Sequence, residues 1–493
     1  MKLIPTKIPI KVGNKYIAVL NENNAHRLDL HPGDRIIVKN GSKGEIRAML
    51  EITENDEIRD TEIGLYTETW AKLKAKRGDR LTIKIAEKPI SVIYIKEKLE
   101  GKTLDAKKID EIIKDVVEED LSDVEIAYFV SGCYIHGLSD KETVELTKAI
   151  VRNGGRLKFK KKIVLDKHCI GGVPGNRTTM IVVPIITSLG LTMPKTSSRA
   201  ITSPSGTADT MEVITNVLND SRRLQTIANK IGGFITWGGG VDLAAADDKM
   251  IKARHPLSLD PKGMLLASIM AKKHSVSSNH VLIDIPVGPQ VKVKTMKAGK
   301  DLANDFKNIG KKLGMKVEVL ISNGDQPIGY GIGPTLEAMD VLKTLNNEKD
   351  APKDLLKKGT KMAGILLELC KKAKKGKGVK MAMEQIKNGK AYKQMMKIIK
   401  EQGPTNRKLR PGNFKKEVLA KKKGKVVGIQ NKLLTHIART AGAPKDPEAG
   451  VYLNKKLKDK VQKGELLYTI YADVKDRLKY TEEYGVDNVY TIK

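Results

Sequence analysis

The chain has 493 residues, of which 40% are hydrophobic and 30% charged, and its formal net charge at pH 7 is +32. This length provides for about three or four domains with buried cores. The longest apolar stretch, 180–194, is interrupted by polar residues and is too short to span a membrane, and the N-terminus lacks the apolar core of a signal peptide. We therefore expect no membrane partner. Three widely spaced cysteines, Cys133, Cys169 and Cys370, indicate a reducing, cytoplasmic location.

The excess of positive charge raises the question of nucleic-acid binding. Lysines occur throughout the chain, with short runs only at 371–375 and 421–423, and aromatic residues make up 4%, which leaves few platforms for stacking bases. We therefore expect no specific nucleic-acid partner. A nucleic-acid-binding protein on a decayed enzyme fold remains a distant alternative, and the charge also attracts anionic substrates by long-range steering.

Residues 1–86 predict a β-rich, barrel-like domain. β-branched and polar residues alternate in 8–12, 35–38 and 81–85, and turn signals lie between these runs. Such alternation is typical of strands with one buried face.

Residues 92–157 predict a helical domain. Ser122 is expected to cap a helix that begins at Asp123, and the run from Ser139 to Glu142 has the spacing of a capping box.

Strands and helices then alternate, which predicts a large central α/β domain with a mixed sheet over 158–402. Turn signals at 403–404 and 410–412 lead into a C-terminal α+β domain over 403–493. The predicted fold class is therefore a multidomain α/β and α+β protein.

The segment 167–212 is the most informative part of the chain. An apolar run at 162–166 predicts a strand and 179–189 predicts a buried helix, so Gly171 and Gly172 fall in the turn between them. Glycine lets backbone N–H groups approach an anion closely, and the helix N-terminus adds positive charge. The Gly-Lys-Ser/Thr ending of a Walker motif is absent, so an ordinary βα turn also fits this part alone.

A second cluster of hydroxyl, glycine and basic residues extends this anion-binding pattern. It reads Ser197-Ser198-Arg199-Ala200-Ile201-Thr202-Ser203-Pro204-Ser205-Gly206-Thr207-Ala208-Asp209. With Lys167-His168 and the glycines after it, this run resembles the thymidine/pyrimidine-nucleoside phosphorylase family, and most closely its archaeal AMP phosphorylase branch. The resemblance continues through 257–263, 267–273 and 287–289, and it extends from about residue 90 to the C-terminus. The leading residues resemble the extra N-terminal domain of that branch.

The resemblance implies phosphorolysis of AMP, with CMP and UMP as further candidates, giving free base and ribose 1,5-bisphosphate. A thymidine or pyrimidine-nucleoside phosphorylase remains the alternative. Inorganic phosphate is then the co-substrate, and we expect no cofactor and no metal. The family's helical domain also implies a homodimer, with the N-terminal domain as a possible contact for a larger assembly.

The functional positions of the family fall on residues of four kinds. The proton donor matches Asp260. The phosphate-binding positions match Lys167, Cys169, Thr178, Ser197 and Thr207. The nucleotide-binding positions match Gly172, Ser198, Arg199, Ala200, Ile201, Thr202, Ser203, Thr207, Ser268 and Lys292. The base-contacting positions match His168, Ser268 and Lys272.

Phosphorolysis needs phosphate beside the anomeric carbon and a proton for the departing base. A carboxylic acid keeps its proton more readily in an apolar setting, and four apolar residues surround Asp260 in sequence: Leu257, Leu259, Met264 and Leu265.

Some positions depart from the family pattern or leave two interpretations open. Cys169 stands where the family has a serine, and we interpret it as a small buried thiol and not as a nucleophile. Arg254 matches the base-carbonyl arginine of the pyrimidine enzymes only with a one-residue gap, and Arg177 has no assigned role. Asp247 and Asp248 fit either a magnesium pair, as in the anthranilate phosphoribosyltransferases, or a solvated helix face.

Overall fold

The computed structural model describes the chain except for residues 14, 55, 56, 242 and 258. The chain begins with six strands and two short helices: β1 (Lys2–Lys7), β2 (Ile17–Asn21), α1 (Glu22–Arg27), β3 (Arg35–Asn40), β4 (Gly44–Thr53), β5 (Glu62–Leu65), α2 (Thr67–Lys72) and β6 (Leu81–Ile85). The strands form a closed barrel in the order β1-β5-β2-β4-β3-β6. Alternate residues such as Ile36 and Val38 fill its interior. The predicted barrel is confirmed.

Four helices follow: α3 (Ser91–Leu99), α4 (Ala106–Glu118), α5 (Asp123–His136) and α6 (Asp140–Arg152). Ser122 and Glu125 form a capping box, in which Glu125 N donates to Ser122 Oγ (3.2 Å) and Ser122 N donates to Glu125 Oε2 (2.8 Å). Ser139 and Glu142 make the same reciprocal pair at the start of α6. Both predicted helix starts are therefore confirmed, because each is set by residues three positions apart.

Strands and helices are interspersed in the central part as far as β12, as predicted, and four successive helices follow. The elements are β7 (Leu165–Cys169), α7 (Thr178–Ser188), β8 (Met193–Ser197), α8 (Thr207–Glu212), α9 (Ser221–Ile231), β9 (Gly233–Trp237), α10 (Ala245–Arg254), α11 (Lys262–Ser275), β10 (His280–Val287), α12 (Met296–Lys312), β11 (Lys316–Asn323), β12 (Gly331–Ile332), α13 (Pro334–Leu345), α14 (Lys353–Leu369), α15 (Gly378–Lys387) and α16 (Lys390–Gln402). β11, β10 and β7 pair in parallel in that order, and β8 pairs in parallel with β9. An isolated parallel bridge between Val164 and Thr192 links the start of β7 to the start of β8.

The strand before the glycine turn differs from the prediction. It was expected at 162–166, but β7 pairs with β10 from Leu165 to Cys169. The polar residues Lys167 and His168 therefore belong to the ladder, because pairing with a neighbouring strand overrides the local apolar pattern. The following helix begins at Thr178, one residue earlier than predicted, and is buried along nearly its whole length.

The C-terminal part contains β13 (Phe414–Leu419), β14 (Gly424–Ile429), α17 (Asn431–Thr440), β15 (Gly450–Leu453), β16 (Lys460–Val461), β17 (Leu466–Ala472), α18 (Lys475–Glu482) and β18 (Tyr490–Ile492). Its strands form two sheets, β12-β15-β17-β13 and β16-β14-β18. β12 comes from the central part and pairs antiparallel with β15. The multidomain α/β and α+β class predicted from the sequence is confirmed.

The chain divides into two compact units, one formed by 1–149 with 246–264 and the other by 150–245 with 265–493. The first unit contains the barrel, α3 to α5 and most of α6 and α10. The second contains β7 to β18 with their helices. Among the described residues, no helix is long and apolar enough to cross a membrane.

Candidate active site

Strand β7 carries polar side chains on both of its faces. Successive side chains of a strand point to opposite sides, so Lys167 and Cys169 share one face while Asp166 and His168 share the other. β7 ends at the glycine turn, where parallel sheets commonly bind their ligands. The two faces therefore build two different parts of one site.

The first face places a buried ammonium group at the start of α7. Lys167 Nζ donates to Thr178 Oγ1 at 2.8 Å, and both residues are buried. Thr178 is the first residue of α7, so the ammonium also lies beside the positive end of that helix. Burial lowers the pKa of Lys167 below its usual range, and the nearby cations Lys358 and Arg177 add to this effect. Such a concentration of positive potential in a buried setting favours a multivalent anion.

Asn176 connects Thr178 to Cys169. Its Oδ1 accepts a hydrogen bond from Thr178 Oγ1 (3.0 Å), and its Nδ2 donates to Cys169 Sγ (3.2 Å). Burial, assisted by Asp284, raises the pKa of Cys169 to about 11. At neutral pH the side chain is therefore a thiol, which agrees with our interpretation that it is not a nucleophile.

Asp284 of β10 balances part of this positive charge. It forms an ion pair with Lys358 Nζ at 2.8 Å and accepts from Ser322 Oγ at 2.6 Å. Burial acts to raise the pKa of Asp284, but Lys358 and Lys167 outweigh it and hold that pKa below its usual range. Sequence analysis did not identify Asp284 or Lys358, since neither belongs to the motifs of 167–212 and both lie more than a hundred residues after Lys167.

The other face of β7 carries a buried ion cluster. Asp166 pairs with Lys273 of α11 at 2.6 Å and with Lys195 of β8 at 3.4 Å. Burial and the surrounding ammonium groups, first Lys273 and then Lys195, lower the pKa of His168 well below its ordinary value. His168 is therefore a neutral imidazole at physiological pH, able to donate from one ring nitrogen and accept at the other.

The loop from 198 to 206, which we call the nucleotide loop, is held by Asp209 of α8. Asp209 Oδ2 accepts hydrogen bonds from Ala200 N and Gly206 N, both at 2.7 Å. A Cβ at Gly206 would lie 2.6 Å from the carbonyl oxygen of Ser198, so the loop closes on itself too tightly for another residue there. Asp209 thus joins the two ends of the predicted nucleotide-binding run through their backbone N–H groups.

Arg199 is engaged with carboxylates of the same unit. Its Nη2 donates to Glu212 Oε1 at 2.6 Å, its Nη1 lies 3.3 Å from Asp209 Oδ1, and its guanidinium lies 5.1 Å from the centre of the Trp237 ring. These contacts show Arg199 fixing the nucleotide loop. Binding of a substrate phosphate by this arginine would require it to leave Glu212.

Two other predicted nucleotide-binding positions lie together. A Cβ at Gly172, which has a φ of +92°, would lie 3.2 Å from Lys292 N. The glycine turn therefore packs directly against the backbone of Lys292, whose side chain is exposed. Packing of this kind places a cationic side chain next to the turn.

The remaining predicted positions occupy ends and faces of elements. Ser197 is the last residue of β8 and Thr207 the first of α8. Ser268 and Lys272 are four residues apart on α11, which puts them on one face of that helix. Ser268 is buried and Lys272 is half-buried.

Asp260 lies in the first unit, and its surroundings there differ from those suggested by the sequence. Its side chain is 42% exposed and lies 3.6 Å from Arg254 Nη1. Leu257 is 77% exposed, so this leucine does not provide the expected apolar enclosure, although Met264 is buried. Leu259 and Leu265 are half-buried, so they too are less enclosed than the sequence suggested.

Asp247 and Asp248 lie at the start of α10, and their burial disagrees with the interpretation of this pair as a solvated helix face. Asp247 is buried, whereas Asp248 is exposed. The pair is therefore not a simple solvated helix face.

Comparison with known protein families matches three domain models in succession. Residues 92–154 match the helical bundle domain of a glycosyl transferase family, residues 161–392 match its a/b domain, and residues 425–493 match the pyrimidine nucleoside phosphorylase C-terminal domain. This order of domains, with a buried ammonium at the end of a parallel strand, defines a glycosyl transferase architecture.

Curated relatives match nearly the whole chain. An AMP phosphorylase from Methanococcoides burtonii is 41% identical over 97% of this chain and 94% of its own length. An AMP phosphorylase from Pyrococcus furiosus is 43% identical over 96% of this chain and 93% of its own length. The chain belongs to the AMP phosphorylase family, which confirms the resemblance read from its motifs.

Solved structures share the fold of part of this chain at much lower identity. Anthranilate phosphoribosyltransferase from Thermus thermophilus superimposes with a TM-score of 0.53 at 16% identity, and covers 62% of this chain and 98% of that one. The enzyme from Saccharomyces cerevisiae gives 0.51 at 14% identity, covering 64% and 98%. These likenesses concern the fold alone.

Proposed function

We propose that this chain catalyses the phosphorolysis of AMP by inorganic phosphate, which yields adenine and ribose 1,5-bisphosphate. The observation that carries the proposal is the buried contact between Lys167 and Thr178 at the N-terminus of α7. An ammonium, a hydroxyl and a helix N-terminus at one point suit a tetrahedral dianion. The choice of AMP follows the relatives named AMP phosphorylase. CMP and UMP are further candidate substrates.

In the proposed reaction a phosphate oxygen attacks the anomeric carbon while the N-glycosidic bond breaks. The bonding electrons leave with the base, and Asp260 donates a proton to it. Positive charge develops on the sugar, and the bound phosphate dianion stabilises it. Holding the two substrates in reactive geometry supplies about 7–11 kcal/mol of the barrier, so little covalent chemistry is required of the protein.

The phosphate is proposed to bind Lys167 and Thr178, with Ser197, Thr207 and Cys169 as further contacts. A thiol is a weaker donor than the serine hydroxyl that the family carries at position 169. Asp284 compensates only part of the local positive charge, because it faces the two ammonium groups of Lys167 and Lys358. We expect no resident cofactor and no metal.

The nucleotide is proposed to bind the nucleotide loop and Lys292. Lys292 is exposed beside the glycine turn, and we assign to it the 5′-phosphate. Arg199 orders the loop through Glu212, so its backbone, from Ala200 to Ser203, is the proposed contact surface. The base is proposed to contact His168, Ser268 and Lys272.

The chain is also proposed to act as a cytoplasmic homodimer through α5. Val124, Tyr128 and Ile135 are exposed at spacings of four and seven residues, which form one apolar helix face. A second copy of this face would cover it, and Tyr128→Glu should then shift the sedimentation coefficient to that of a monomer. A wild-type chain that already sediments as a monomer would contradict the dimer.

The domain boundaries given above and a larger assembly through the barrel remain proposals.

The test is release of free base by the purified chain from AMP, CMP, UMP, adenosine and thymidine, each with and without inorganic phosphate. Phosphate-dependent release from AMP but not from adenosine is the expected result. Release from the nucleosides alone would move the chain to the pyrimidine-nucleoside alternative. Absence of release from every substrate would contradict phosphorolysis altogether.

A further inference from the structure

Arg177 lies in the turn between β7 and α7 and contacts two other segments as well as its own turn. Its Nε forms an ion pair with Glu337 of α13, and its Nη2 donates to the carbonyl oxygen of Ser205 in the nucleotide loop. Its Nη1 also donates to the carbonyl oxygen of Asn176, at 3.3 Å, in the turn that holds the phosphate residues. One guanidinium group therefore joins the segments proposed to bind each of the two substrates.

Glu337 provides a fixed anchor for this arginine. Its side chain is fully buried. Glu337 Oε1 accepts from Gly333 N at 3.1 Å, and Glu337 Oε2 accepts from Thr210 Oγ1 at 3.1 Å. Thr210 lies one turn after Thr207 on α8, so the same carboxylate also holds the helix that follows the nucleotide loop. Glu337 of α13 therefore holds both Arg177 and the helix that follows the nucleotide loop.

Close backbone contacts leave these segments little room to move separately. A Cβ at Gly175 would lie 2.2 Å from the carbonyl oxygen of Ile328, so the turn between β7 and α7 packs closely against the segment that precedes β12. Within the nucleotide loop, a Cβ at Gly206 would lie 2.6 Å from the carbonyl oxygen of Ser198, so that loop is itself tightly closed. A shift of either segment is therefore passed to the guanidinium that bonds to both.

We propose that Arg177 is a positioning residue that couples the two substrate sites, so that an anion in the phosphate site tightens the binding of AMP and AMP tightens the binding of the anion. The proposal rests on the proposed function. Coupling of binding energies is reciprocal, and its usual size is about 5-fold to 150-fold in affinity. Arginine suits this task because its planar fork binds a carboxylate and a carbonyl at once, which a lysine ammonium cannot reproduce.

The experiment measures the dissociation constant of AMP by calorimetry on the full chain, with and without saturating inorganic sulfate as an unreactive tetrahedral dianion. In the wild-type chain sulfate should lower this constant about 5-fold or more. Arg177→Lys should bind AMP and sulfate separately but lose most of the effect of one on the other. Thr210→Val keeps Arg177 but removes the hydroxyl that contacts Glu337, Ser205 and Gly206, and it should reduce the coupling partially.

Arg223→Lys is the matched control. Arg223 is an exposed arginine of the same unit whose Nη2 donates to the carbonyl oxygen of Glu401 at 2.7 Å. This variant should keep the wild-type coupling. A role limited to stability would lower the unfolding temperature of Arg177→Lys and leave the coupling unchanged.

Two results would overturn the coupling and leave the proposed function intact: AMP affinity in the wild-type chain that does not depend on sulfate, or full coupling in both Arg177→Lys and Thr210→Val. A wild-type chain that neither binds AMP nor releases adenine would overturn the coupling and the proposed function together.

Discussion

Lys273 Nζ lies 2.6 Å from Asp166 Oδ2, and the two side chains are only 2% and 0% exposed. Lys195 Nζ shares the same carboxylate at 3.4 Å from the other oxygen. One buried carboxylate therefore serves two buried ammonium groups. Burial lowers the pKa of Lys195 well below its ordinary value, and the neighbouring Lys273 adds to this effect while Asp166 opposes it.

Asp166→Asn should destabilise the chain by about 3–5 kcal/mol, because it leaves buried cations without their counterion. Equilibrium urea unfolding followed by circular dichroism measures this change. Asp476→Asn serves as the control. Asp476 forms an exposed pair with Lys479, so this substitution should cost less than about 1 kcal/mol. Equal stability of Asp166→Asn and the wild type would show that the cluster does not depend on this carboxylate.

The same cluster predicts that His168 does not titrate near neutral pH. Its pKa is lowered in the folded chain, so the neutral imidazole is favoured, and the associated stability is present above pH 6.5 and is lost as the pH falls below it. In ¹³C-histidine-labelled protein, the resonance missing from His168→Gln should keep its chemical shift between pH 8 and pH 6. A midpoint near 6.5 for this resonance would contradict the prediction.

Asp260→Asn should reduce the turnover of AMP by about 100-fold to 10,000-fold, since it removes the acid and keeps the size of the side chain. The dissociation constant of AMP should change little, which calorimetry can verify. Asp248→Asn, an exposed aspartate of the same unit, is the control and should retain wild-type turnover. Near-normal turnover in Asp260→Asn would remove this residue as the proton donor.

Lys292→Ala should weaken AMP binding by about 10-fold or more, because a hydrogen bond to a charged group contributes about 1.5–3 kcal/mol. Adenosine, which has no 5′-phosphate, should bind the variant and the wild type equally. Lys294→Ala, two residues further along the same exposed segment, controls for the loss of one surface charge. Equal losses for AMP and adenosine would exclude a 5′-phosphate contact at Lys292.

The features that short-range chemistry controls could be predicted from the amino-acid sequence. The capping boxes at Ser122 and Ser139 depend on residues three positions apart, and the barrel strands follow from alternating side chains. The ordered motifs from Lys167 onward were also sufficient to identify the family, because each motif is a continuous run. Even in this segment, β7 spans Leu165–Cys169 and not the predicted 162–166, because pairing with β10 outweighs the local apolar pattern.

Which charged residues from distant parts of the chain form ion pairs depends on how the chain packs in three dimensions. Arg177 bonds to Glu337 and to Ser205, which lie 160 and 28 residues after it in sequence. Asp166 bonds to Lys273, which lies 107 residues after it. A buried charge needs a partner of opposite charge, and packing brings that partner from a different helix or strand. The spacing of residues within one helix or strand therefore does not predict it. The exposure of Leu257 beside Asp260 has the same origin, because burial depends on what packs against a segment and not on its apolar neighbours in sequence.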